Sequence, residues 1–67
     1  MNDGLFPVSL EEQIRCVLRE IDMRERSYPR WIAEKKLTEA KARHELAAMR
    51  AVLATLQSMK EQSNAGA

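Results

Sequence analysis

The chain carries one histidine and one cysteine, so the chemistry its side chains could perform is narrow from the start. A protein-held metal needs three or four converging ligands. His44 has Arg43 and Glu45 beside it, and adjacent helical residues diverge by about 100°. His44 therefore reads as a solvated helix residue. Cys16 sits next to the apolar positions Ile14 and Val17, with Arg15 and Arg19 close in sequence. A reactive thiol needs an electropositive, partly open setting; beside an apolar stripe, a cysteine behaves more often as a small hydrophobe. Carboxylates are numerous, but nearly all have a basic neighbour at helical spacing, and no nucleophile–base pair or glycine-rich phosphate loop is present. The pattern predicts a protein that is not an enzyme and needs no cofactor or metal.

What remains is recognition chemistry. All the aromatic mass outside Phe6 lies at Tyr28 and Trp31, either side of Pro29, among Arg26, Arg30, Lys35 and Lys36. Trp, Tyr and Arg are the side chains that most often carry binding energy at protein interfaces. These six residues form the candidate partner-binding set, although Tyr28 and Trp31 could equally plug the end of a helical core beside the proline. The charge pattern supports a polarised molecule. Residues 24 to 43 hold seven bases against three acids (+4), and residues 1 to 23 hold two bases against five acids (−3). The overall charge is only +1, which gives no global attraction to nucleic acid or an anionic membrane.

The elements that position these residues are helices. Ser9 followed by Glu12 forms a capping box, and Glu11 and Glu12 suit the positive end of a helix dipole. Leu10, Ile14, Val17 and Ile21 then recur at spacings of 4, 3 and 4, continuing through Arg24 to Tyr28. Glu11 with Arg15, Glu20 with Arg24 and Asp22 with Arg26 are four apart on the polar side. Pro29 predicts a kink in a helix that resumes through Trp31 and Ile32 and ends near residue 33. After a break at Glu34 to Leu37, Thr38 caps a second helix over about 39 to 62, in which Ala42, Leu46, Met49, Leu53 and Leu56 keep heptad spacing.

The predicted architecture is thus all-α. A loose arm (1–8, with Leu5, Phe6 and Val8) precedes an antiparallel helical hairpin (9–62), and a disordered tail (63–67) follows. Two helices cannot enclose a side chain on every side. The apolar face of the second helix, widened by Ala48, Val52 and Met59, is broader than one facing helix covers. A four-helix homodimer is the expected remedy, with Ile14, Val17, Ile21, Leu46, Met49, Val52, Leu53 and Leu56 as its core and interface. The amino terminus lacks the pattern of a secretory signal, and no apolar run approaches the roughly 20 residues needed to span a bilayer. The expected location is the cytoplasm.

Three segments also carry a family resemblance: Glu25-Arg26-Ser27-Tyr28-Pro29-Arg30-Trp31-Ile32, Lys36-Leu37-Thr38-Glu39-Ala40-Lys41-Ala42, and Glu45-Leu46-Ala47-Ala48-Met49-Arg50-Ala51-Val52-Leu53. Over residues 10 to 57 the chain resembles a family of short phage and prophage proteins, with Tyr-Pro-Arg-Trp as the most distinctive part. Family members often have Gly in the turn, where this chain has Glu34-Lys35-Lys36. The resemblance implies a phage-encoded accessory protein active in the host bacterial cell. It is similar to small dimeric helical proteins that disable host regulators, among them anti-activators of quorum sensing. Those capture a ligand-responsive transcription activator, and the resemblance extends to block of a pilus-assembly ATPase. The alternatives are a small DNA-binding regulator using the basic tip and an accessory subunit of the virion.

Overall fold

The computed structural model describes residues 8–65; the arm residues Leu5 and Phe6 lie outside that range. Two helices, α1 (Leu10–Ala33) and α2 (Glu39–Ala65), form an antiparallel hairpin. The all-α hairpin expected from periodicity is what the chain adopts.

Each boundary has a local cause. At the start of α1 the Glu12 N–H donates to Ser9 Oγ at 3.1 Å, the first half of the expected capping box. The return half differs: the Glu12 carboxylate accepts from the Ser9 hydroxyl at 3.5 Å, and the Gln13 amide donates to the Val8 carbonyl at 2.9 Å. Thr38 caps α2 as expected, its Oγ1 accepting from the Lys41 N–H at 3.1 Å. The second helix continues to Ala65, three residues beyond the end near 62 that its composition suggested. The expected disordered tail at 63–67 is thus helical through Ala65, because Ser63, Asn64 and Ala65 are tolerated in a helix; residues 66 and 67 lie outside the described range.

Pro29 lies inside an unbroken α1. The ring removes the donor that would serve the Glu25 carbonyl, a cost of about 3 kcal/mol in a helix interior. One further turn of helix persists because its residues are anchored: Tyr28 is buried, and Trp31 and Ile32 are half-buried against the turn.

The turn is a Schellman cap. The Lys35 N–H donates to the Ile32 carbonyl at 3.0 Å and the Lys36 N–H to the Trp31 carbonyl at 2.9 Å. This motif needs a left-handed residue just past the helix, and here it is Lys35, at φ 62°. A residue with a Cβ pays about 1 to 2 kcal/mol for that conformation.

Ion pairs cross between the helices at three levels. Lys60 reaches Glu11 at 3.2 Å near the open end, Arg50 pairs with Glu25 midway, and Arg24 reaches Glu45 at 3.5 Å toward the tip. All three are partly or largely solvated, so each contributes about 0 to 1 kcal/mol. The expected Glu20–Arg24 and Asp22–Arg26 pairs form, both at 2.9 Å, whereas Glu11 turns to Lys60 rather than Arg15.

The core is thin. Among the described residues only Ile21, Tyr28 and Ala42 are buried, at 8%, 6% and 5% exposure, and no side chain is fully enclosed. Of the remaining expected core positions, Ile14, Val17, Leu46, Met49, Leu53 and Leu56 are half-buried, and Val52 is exposed at 47%.

The cap geometry predicts that Lys35→Gly stabilises the hairpin by about 1 kcal/mol, because glycine enters the left-handed region without steric cost. Thermal unfolding followed by circular dichroism measures it. A melting temperature unchanged or lowered would contradict the assignment of Lys35 as a strained cap.

Candidate functional site

Tyr28 organises the tip of the hairpin. It lies at the centre of the α1 inner face and shares a groove with Ala42, whose methyl side chain leaves room for a ring between the helices. The Tyr28 hydroxyl accepts from Arg24 Nη1 at 3.3 Å. Arg24 also donates through Nε to Glu20 at 2.9 Å and through Nη1 to Glu45 at 3.5 Å. Its pKa is raised above the ordinary arginine value, first by the bond to Glu20 and then by that to Tyr28. The guanidinium, cationic as arginine is in any protein, ties both helices to the ring. Arg24 occupies a position of the apolar stripe, where a polar residue specifies register more than it adds stability.

On either side of Tyr28 the surface dips. One depression, about 460 Å³ in volume, is bounded by Met23, Trp31 and Leu37, with the basic side chains of Lys36 and Lys41 and the Arg24 network along its walls. Trp31 is half-buried there, its ring centroid 5.6 Å from that of Tyr28 and inclined by 44°. The other depression, about 220 Å³, is lined mainly by the apolar surface of Tyr28, Pro29, Ile32, Ala42 and Leu46.

The six residues expected to contact a partner do not form one surface. Tyr28, at 6% exposure, is a core residue with little left to present, which agrees with the reading of this ring as a plug of the helical core. Trp31 and Lys36 meet in the larger depression. Arg26 and Arg30 stand roughly 160° to 200° round α1 from Tyr28, on the outer face of the hairpin; both are exposed. Lys35 projects from the turn, and Lys36 is 3.4 Å from Glu34. The physical reason is helical rotation: residues two apart in sequence point to opposite sides of a helix. Met23, Leu37 and Lys41 border the Trp31 depression and were not singled out by sequence. Met23 lies two turns before Trp31, a spacing that could have suggested it, but the return of Leu37 and Lys41 depends on the turn geometry.

The larger depression combines an aromatic ring with two ammonium groups and with the Glu20 and Glu45 carboxylates that Arg24 engages. Among the described residues no three His, Cys, Asp or Glu side chains are placed to hold a metal ion. His44 and Cys16 are both exposed. No described helix is long and apolar enough to cross a membrane. Comparison of the chain with protein-family models, curated proteins and solved structures returned no match.

The position of Tyr28 makes a stability prediction. Tyr28→Phe removes only a solvent-competed hydrogen bond and should cost about 1 kcal/mol or less. Tyr28→Ala empties the tip and should cost about 3 to 5 kcal/mol. Urea unfolding of both variants separates the terms; equal, small losses would show that the ring is not the core of the tip.

Proposed function

We propose that this chain is a non-enzymatic protein-binding inhibitor that docks on an acidic surface of its target through the Trp31 depression. The observation that carries the reading is the half-buried Trp31, which shares its depression with Lys36 and Lys41 while the two carboxylates that also line it, Glu20 and Glu45, are engaged by Arg24. A partly covered indole loses little conformational entropy when a partner completes its burial, and the adjacent ammonium groups select for carboxylates at the rim. The Tyr-Pro-Arg-Trp segment and the resemblance it carries make the finer reading a phage-encoded protein directed at a host regulator. A quorum-sensing transcription activator is the first candidate target, and a pilus-assembly ATPase the second. The working form is a homodimer. Val52 and Met59, exposed at 47% and 46% on α2, supply the apolar face that a second copy would cover.

Two measurements test this. Tagged protein is used to capture partners from bacterial lysate, with bound proteins identified by mass spectrometry. Trp31→Ala should lower capture of the dominant partner by about 30-fold, the effect of losing a hot spot of about 2 kcal/mol. Lys36→Glu should also weaken it, while Arg30→Glu, on the opposite face, should leave it nearly intact. Wild-type capture by both Trp31→Ala and Lys36→Glu would remove the tip as the binding site. Separately, light scattering should give a dimer for the native chain and a monomer for Val52→Glu; a native monomer would remove the dimer.

A further inference from the structure

The outer face of α1 carries a row of arginines that neither the hairpin core nor the Trp31 depression uses. Arg15, Arg19, Arg26 and Arg30 repeat at spacings of 4, 7 and 4, and all four are exposed. At about 100° per residue they fall within a strip roughly 60° wide, and at 1.5 Å per residue they span about 22 Å. Every arginine of α1 except Arg24 is in this row, and α1 holds no lysine.

The row is only partly compensated by acids of the described residues. Glu11 is drawn to Lys60 and Glu25 to Arg50, both on α2, and Glu20 is held by Arg24 beside the core. Only Asp22 turns to the row, pairing with Arg26 at 2.9 Å; Arg15, Arg19 and Arg30 form no ion pair among the described residues. Glu12 is the one further acid on the strip. Of the acids that engage other groups, Glu11 is the one with a row arginine, Arg15, at helical pairing distance.

We infer that this strip is a second interaction surface, which takes an acidic helix of a protein partner lying alongside α1. Guanidinium groups are planar donors that match carboxylates two bonds at a time. The row is straight and regular, two pairs about 16 Å apart, or three helical turns. A partner helix with glutamates or aspartates at the same spacing meets all four. A nucleic-acid backbone fits less well. Glu12 and Asp22 would oppose phosphates, the strip has no aromatic side chain to stack on bases, and the chain's net charge of +1 gives little long-range attraction. On α1 the row is turned by more than 90° from Trp31, so it is a surface separate from the Trp31 depression.

The test uses three fluorescent probes at low ionic strength, read by anisotropy. One is an alanine-based helical peptide with glutamates repeating the 4, 7, 4 spacing. The second has the same composition with its glutamates spread round the helix, and the third is a short DNA duplex. The matched peptide should bind about tenfold tighter than the redistributed one. Arg19→Glu combined with Arg26→Glu should abolish that preference, with helicity unchanged by circular dichroism. Trp31→Ala should leave it intact, so this result stands or falls independently of the tip. Equal binding of the two peptides would overturn the inference. So would tighter binding of the duplex with an affinity falling steeply as salt rises, which would assign the strip to phosphates.

Discussion

A two-helix hairpin can bury a side chain only along the line where its helices touch, and every other feature of this protein answers to that limit. The line holds one large ring. Tyr28 sits opposite Ala42, large against small, and Ile21 continues the seam toward the open end. With so little enclosed volume, polar interactions at the margin of the seam take over the task of choosing a register. Arg24 does this most directly, because one guanidinium engages Glu20 on its own helix, Glu45 on the other and the hydroxyl of the buried ring. None of these bonds is strong in water, but together they make one alignment of the helices better than its neighbours.

The same limit explains why strain is tolerated at the tip. Pro29 costs α1 a backbone hydrogen bond, and Lys35 adopts a conformation that glycine would reach more easily. Both persist because Tyr28, Trp31 and Ile32 fix the last turn of α1 against the start of α2. The reward is geometric. Carrying α1 through the proline places Trp31 one turn beyond Tyr28, where it is half covered by Leu37 and flanked by Lys36 and Lys41. A helix ending at Pro29 would have left the indole in a loop, with no fixed relation to those ammonium groups.

Surface and core are coupled through the acids. Glu11, which reaches Lys60 on α2, helps hold the hairpin together and leaves Arg15 without the counter-ion that helical spacing offered. The exposed arginines of the outer face of α1 are in part a consequence of that choice.

Much of this was legible in the sequence, and the reason is locality. Helix existence, the caps at Ser9 and Thr38, and the Glu20–Arg24 and Asp22–Arg26 pairs depend on residues three or four apart, where helical geometry dictates who meets whom. The apolar stripes gave the hairpin by the same logic. Tertiary structure alone decided the rest: that Glu11 prefers Lys60 to Arg15, that Tyr28 is enclosed while Trp31 is half open, that Arg26 and Arg30 face away from Trp31, and that Lys35 takes the position glycine favours. Those outcomes turn on the relative position of two helices. That position is set by how a ring, a methyl group and a guanidinium share one narrow seam, and no spacing within a single helix encodes it.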